Sequence, residues 1–137
     1  MATSTTRRVL LRVPVPVCPG DVLDVTARAQ ITNDTGRVVG VGHALWVYDV
    51  DLVPAVPVAD RPWTQIAPHL ADNCTPDRHH MPLIMGAAWT VPDDWPPGHR
   101  AMVLFQAAAF RSSPAAGETV RVDEGYGQLV VRRFVPA

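Results

Sequence analysis

Residues 21–50 read DVLDVTARAQITNDTGRVVGVGHALWVYDV, and the pattern of this stretch decides the fold. Successive side chains of a β-strand point to opposite faces, so alternation of apolar and polar residues is typical of a half-buried strand. Ten residues here alternate in that way: Leu23, Val25, Ala27, Ala29 and Ile31 against Asp24, Thr26, Arg28, Gln30 and Thr32. The stretch therefore predicts a strand with one buried face.

The residues NDTG at 33–36 predict a tight turn after this strand. Asn is favoured at the first position of a type I turn, and Gly at the left-handed position that follows. We expect a hairpin whose second strand covers residues 37–48, with odd-numbered residues on one shared face. In that register His43 lies opposite Ala27 and points into the core. A two-residue loop is the alternative, and it would bury Trp46 instead.

The opposite face of this predicted hairpin carries Arg28, Trp46 and Tyr48, which make it shallow, polar and aromatic. Trp95 stands in a turn of Asp, Pro and Gly residues. Aromatic side chains on an open sheet face or on a loop can stack on a sugar or on a planar ligand, although each Trp taken singly can equally belong to the core. These four residues are the candidates for ligand binding.

The 14 prolines show where further strands can lie, since proline cannot donate to a sheet ladder. In residues 9–17, apolar side chains alternate with arginines and prolines. This pattern is typical of an edge strand, in which the prolines block further pairing. Residues 83–91 predict another strand. The nearly continuous apolar run 101–110 predicts a strand covered on both faces, which suggests an oligomer interface. Thr119–Asp123 and Gln128–Phe134 predict a last hairpin.

These strands predict an all-β protein, a single-domain antiparallel β-sandwich over residues 1–137 with about six to eight strands, either immunoglobulin-like or a jelly roll. A chain of 137 residues buries enough surface to fold without a metal or a disulfide. Any metal site would therefore serve function.

The charge balance excludes some partners. A formal net charge of −1 does not fit a general nucleic-acid binder or a polybasic membrane arm. All 12 basic side chains are Arg, which we attribute to codon usage in a GC-rich bacterial genome and which excludes lysine chemistry. Arginines and Pro14 interrupt any signal-peptide core, and Cys18 and Cys74 are expected to be free thiols. We expect a cytoplasmic protein.

The densest chemistry is the stretch DNCTPDRHHM at residues 72–81. Asp77 and His79 share a face in an extended chain, and a carboxylate beside an imidazole can orient it for proton transfer or for metal ligation. His80 would then face the other way. Asp77, His79 and His80 are the candidate catalytic residues, and the alternative is a polar loop in which Asp and Asn form turns and the imidazoles are solvated.

The run His79-His80-Met81 resembles the His-His-Met run of the first copper domain in the peptidylglycine and dopamine monooxygenases, whose domains are β-sandwiches. The resemblance implies that His79 and His80 bind copper, with His43 or His99 as the third ligand. The order His43, Cys74, His79, Met85 is also similar to the copper ligands of cupredoxins. Zinc is a further candidate metal, without a spacing typical of it.

Three functions follow from these observations. The first is a binding module that holds a polar or aromatic small molecule beside the loop of Asp77, His79 and His80. The second is an enzyme in which the same histidines bind copper or zinc, or act as general acid and base. The third is a structural or assembly subunit that forms a homo-oligomer through residues 101–110.

Overall fold

A computed structural model describes residues 6–110, 120–123 and 125–137 of the chain. The described residues form nine β-strands: β1 Thr6–Pro16, β2 Val22–Asn33, β3 Val39–Asp49, β4 Thr64–Gln65, β5 Leu70–Cys74, β6 Met81–Thr90, β7 Arg100–Phe110, β8 Val120–Val122 and β9 Gln128–Phe134. A single 3-10 turn, Val58–Asp60, precedes β4. Among these residues no helix has the length and apolar character needed to span a bilayer.

The strands make two antiparallel sheets that pack face to face as a β-sandwich, which confirms the predicted fold class. In the first sheet β7 lies between β1 and β3, and the short strands β4 and β5 share the far edge of β3. In the second sheet β2 lies between β6 and the strands β8 and β9. The core is filled by odd-numbered side chains of both sheets, the largest being Phe105, Leu23, Ile31, Leu45 and Leu83.

The predicted hairpin of β2 and β3 is wrong, because these two strands belong to different sheets. β2 pairs with β6 along one edge and with β8 and β9 along the other. β3 likewise pairs with β7 on one edge and with β4 and β5 on the other. Both strands are central, so residues 34–38 carry the chain across from one sheet to the other.

The buried side chain of Asn33 fixes this crossing. Its amide nitrogen lies 2.7 Å from the carbonyl oxygen of Arg37, 3.0 Å from that of Cys74 and 3.1 Å from that of Thr75. Its amide oxygen accepts the backbone N–H and the hydroxyl of Thr35 at 3.0 and 2.6 Å. The amide thereby joins the crossing segment to the end of β5, and it supplies partners to backbone groups that burial cuts off from water.

The predicted last hairpin is also wrong. β8 and β9 follow one another along the same edge of β2, where Val122 pairs with Ile31 and Gln128 pairs with Arg28. Between them the backbone N–H of Asp123 donates to Gln30 at 2.8 Å. The two strands therefore act as one interrupted edge strand. Thr119, which the predicted hairpin included, lies outside the described residues.

Other predicted strands are confirmed. β1 pairs along one edge with β7, and its Pro14 and Pro16 are exposed. β7 is buried on both faces: Phe105 lies in the core, and Leu104, on the outer face, is only 2% exposed. Because both faces of β7 are covered within one chain, its apolar sequence does not by itself point to a partner subunit.

We expect Asn33→Ala to lower the free energy of unfolding by about 2–3 kcal/mol, since buried carbonyl groups lose their partner. Chemical unfolding in urea measures the change. The control is Asn73→Ala in the exposed part of β5, which should change stability by less than about 0.5 kcal/mol. Equal losses from the two variants would show that Asn33 does not hold the crossing.

Candidate functional site

The structure distributes the predicted site residues over several parts of the molecule. It brings His79 and His80 together, with their ring centroids 6.3 Å apart. It also places Trp46 and Tyr48 against a common neighbour, Trp63. The remaining predicted residues lie elsewhere: Asp77, His43, Arg28 and Trp95.

His80 has a carboxylate partner that the sequence did not predict. Its Nδ1 lies 3.0 Å from a carboxylate oxygen of Asp123, which is 43 positions away in the sequence. The Asp123 side chain is 5% exposed and the His80 side chain is 55% exposed. The hydroxyl of Thr32 lies 2.8 and 3.0 Å from the two carboxylate oxygens of Asp123, and the backbone N–H of His80 donates to the same hydroxyl at 3.3 Å.

The shape of the loop explains why Asp77 does not pair with His79, the arrangement that the sequence predicts, and why His79 lies 3.9 Å from Asp34 instead. Arg78 donates its backbone N–H to Thr75 at 3.2 Å, and its carbonyl accepts the N–H of Asn33 at 2.8 Å. Asp77 and His80 have positive φ angles of 57° and 58°. The loop is therefore coiled, and the rule that residues two apart share a face of an extended chain does not apply.

Charged and aromatic residues surround this pair. Arg121 lies 2.9 Å from Asp34 and 3.8 Å from Asp123. His79 approaches Asp34 at 3.9 Å, and the Tyr126 ring centroid lies 5.5 Å from that of His80. No local pattern in the sequence predicts these neighbours, because they come from the ends of β2 and β8 and from the segment before β9. We call Thr32, His80 and Asp123 the histidine–aspartate site.

Among the described residues, no group of three His, Cys, Asp or Glu side chains stands close enough to hold a metal ion. His43 lies on β3 in the interior and does not join His79 and His80. Cys74 is buried, and burial raises the pKa of its thiol, which keeps the sulfur protonated. Met85 packs in the core. The copper and zinc assignments remain predictions.

His43 points into the core, as predicted, and is 7% exposed. Its ring meets the ring of Phe105 edge to face at 6.1 Å. Neither ring nitrogen has a hydrogen-bond partner among the described residues. Burial lowers the pKa of His43, and the nearby His69 lowers it further. The Ile84 backbone, which is outside hydrogen-bonding geometry, and the carboxylate of Asp72 raise the pKa and oppose this shift in part. His43 is therefore a neutral core residue at pH 7.

The outer face of the first sheet carries a half-open cleft of about 220 Å³. Its floor consists of small residues on β3 and β7, and its polar groups belong to Trp46, Gln65, His69 and Gln106. The small floor residues are Gly42, Ala44, Ala107 and Ala108. We call this the outer cleft.

The indole of Trp46 is the outer cleft's most informative group. Its Nε1–H is buried and has no hydrogen-bond acceptor among the described residues. The ring meets Trp63 at 6.3 Å, and Trp63 in turn stacks on Tyr48 at 5.6 Å with the ring planes 20° apart. The guanidinium of Arg61 lies 5.7 Å from the centre of the Tyr48 ring. The predicted pair Trp46 and Tyr48 thus belongs to an aromatic strip beside the cleft.

The last two predicted ligand-binding residues, Arg28 and Trp95, lie away from the outer cleft. Arg28 is exposed on the outer face of the second sheet, on the side of the sandwich away from Trp46. Trp95 packs against Trp89 at 5.6 Å and donates its Nε1–H to the carbonyl of His99 at 3.0 Å. His99 itself pairs with Asp49 at 2.7 Å. Trp95 and His99 therefore stabilise the turn that precedes β7.

Comparison with known proteins finds no matching family model, no matching curated protein and no matching solved structure.

We expect the buried His43 to make the protein sensitive to acid. Its pKa in the folded state lies below the ordinary value of 6.5, so the unfolded chain binds the proton more readily. The stability is fully present above pH 6.5 and is lost as the pH falls below that value. His43→Met should lessen this loss. Thermal unfolding between pH 7.5 and about pH 5 measures it.

The matched control is His79→Gln, whose side chain is 56% exposed in the wild type. It should keep the acid sensitivity of the wild type. If His43→Met and His79→Gln show the same pH dependence, burial of His43 is not the cause.

Proposed function

We propose that this protein is a binding module for a small neutral molecule with several hydroxyl or amide groups, held in the outer cleft, and that one sugar ring is the best-fitting ligand. The observation that carries the proposal is the side chain of Trp46, which lines the cleft and whose buried Nε1–H lacks an acceptor among the described residues. A buried donor without a partner costs about 1–3 kcal/mol. A ligand oxygen that reaches this N–H from the cleft would remove that cost.

The polar groups of the outer cleft favour a neutral ligand. Asp, Glu, Lys and Arg are absent from the described residues that line it, and Gln65, Gln106 and His69 supply its remaining polar side chains. Gln65 already donates its amide N–H to the carbonyl of Ala67 at 2.8 Å, which leaves its amide oxygen as an acceptor. Amide groups donate and accept at once, as vicinal hydroxyl groups require.

The size of the outer cleft also limits the ligand. Pockets for drug-sized ligands hold roughly 300–1,000 Å³, and this cleft holds about 220 Å³. A single ring, or the end unit of a longer chain that extends into solvent, fits such a volume. The small side chains of Ala44 and Ala108 form an apolar floor for the C–H face of a ring, and Trp46 adds an aromatic wall.

The partner we propose is therefore a small molecule, with neither nucleic acid nor membrane involved. We also propose a cytoplasmic location. Its support is that Cys18 and Cys74 are both free thiols, which suits a reducing compartment.

We expect neutral monosaccharides to shift the indole N–H resonance of Trp46 in a ¹H–¹⁵N correlation spectrum. The probes are glucose, galactose and N-acetylglucosamine, each up to about 50 mM because single-ring ligands bind weakly. Trp46→Phe assigns the resonance. The indole of Trp95 is the internal control, since it already donates to His99 and should not move.

Variants of the outer cleft then test the contacts. Gln106→Ala should weaken binding about three- to tenfold, the effect of one lost hydrogen bond. Gln128→Ala, in exposed β9 of the other sheet, should leave binding unchanged. If no neutral sugar moves the Trp46 resonance, or if glucuronate moves it as strongly as glucose does, the proposal is wrong.

A further inference from the structure

The histidine–aspartate site is separate from the outer cleft and has a chemistry of its own. The buried carboxylate of Asp123 accepts from the Thr32 hydroxyl and from Nδ1 of His80. Since Nδ1 carries the shared proton, the neutral imidazole keeps its lone pair on Nε2. A carboxylate that fixes one tautomer of an accessible imidazole is the arrangement that general bases use in hydrolytic enzymes.

The backbone of His80 is held in place as firmly as its ring. A φ of 58° is uncommon for a residue other than Gly, although Asn, Asp and His adopt it more often than other residues do. Thr32 stabilises this conformation by accepting the N–H of His80 while it donates to Asp123. Two side chains, Thr32 and Asp123, therefore determine the position of one exposed imidazole, and conformational outliers of this kind cluster at functional sites.

We propose that His80 is a general base that activates water for the hydrolysis of small aryl esters, with Asp123 as its positioning residue. Nε2 of His80 removes a proton from water as the water oxygen attacks the ester carbonyl carbon, which forms a tetrahedral intermediate. The intermediate collapses, the bond to the aryl oxygen breaks, and the imidazolium returns its proton to that oxygen. The products are a carboxylic acid and a phenol, and no oxidant or metal is needed.

The surroundings of His80 favour an uncharged aryl ester over an anionic substrate. The ring of Tyr126 lies 5.5 Å from that of His80 and Tyr126 is 50% exposed, so an aromatic group of the substrate can pack on the free side of the Tyr126 ring. Among the described side chains beside these two rings, the guanidinium of Arg121 faces two carboxylates, those of Asp34 and Asp123. This excess of negative charge disfavours an anionic substrate and leaves an uncharged ester unaffected.

Hydrolysis of p-nitrophenyl acetate by the full chain tests the proposal. His80→Gln should lower the rate above background about 10²-fold, within the range that general base catalysis contributes. Two control variants test whether both features of His80, its exposure to solvent and its close carboxylate, are needed for activity. His79→Gln removes an exposed imidazole that lies 3.9 Å from the Asp34 carboxylate, beyond hydrogen-bonding distance, and His99→Gln removes an imidazole that is paired with a carboxylate but is only 22% exposed. Both should stay within twofold of the wild type.

The proposed positioning role of Asp123 is tested by the tautomer of His80, because a loss of rate alone would also follow from a purely structural role. Long-range ¹H–¹⁵N spectra should show the Nδ1–H tautomer for neutral His80 in the wild type, and loss of that preference in Asp123→Asn. Thr32→Ser retains the hydroxyl and should retain both tautomer and rate. The proposal is overturned if His80→Gln and His79→Gln lower the rate equally, or if His80 shows the Nε2–H tautomer in the wild type.

Discussion

One buried amide determines the path of the chain. Asn33 ends β2, and its side chain binds carbonyl groups of the crossing segment and of residues 74 and 75 at the same time. These contacts direct the chain from β2 into the first sheet instead of back along β2. They also hold the loop after β5 against the end of β2. There the backbone N–H of Asn33 donates to the carbonyl of Arg78, and the hydroxyl of Thr32 accepts the backbone N–H of His80. The position of the histidine–aspartate site follows from that arrangement.

The same crossing separates the two sites. Since β2 and β3 lie in different sheets, the even-numbered residues of β3 open on one outer side of the sandwich and those of β2 on the other. The outer cleft can form on β3 because Gly42 and Ala44 leave room beside Trp46. The histidine–aspartate site forms at the end of the sandwich where β2 stops and β6 starts. The proposed binding site and the proposed catalytic site thus occupy separate surfaces.

The sequence predicts the strands well and their partners poorly. Alternation in residues 22–32 and the placement of prolines suffice to find β2, β6 and β7. Both signals are local, since the two-residue alternation of apolar side chains and the missing N–H of proline do not depend on distant residues. The pairing of β2 with β3 could not be predicted, since the residues at 33–36 satisfy a turn equally well whether the next strand joins the same sheet or the other one. The amide of Asn33 finds its decisive partners about 40 positions away.

The candidate sites show the same limit. Alternation along β3 places Trp46 outward and His43 inward, as the structure has them. His79 and His80 stand out by composition, but the carboxylate partner could not be predicted, because Asp123 reaches His80 only through the shared edge of β2. The predicted pairing of Asp77 with His79 does not form for a physical reason: two positive φ angles coil their loop, so residues two apart do not share a face.

The placement of β2 and β3 in different sheets can be tested directly from the strand pairing, and both sites depend on that placement. Nuclear Overhauser contacts between backbone protons report which strands are neighbours in solution. The account predicts main-chain contacts between Leu45 and Phe105 and between Val25 and Val131. Main-chain contacts between Val25 and Leu45, as a hairpin of β2 and β3 requires, would contradict it.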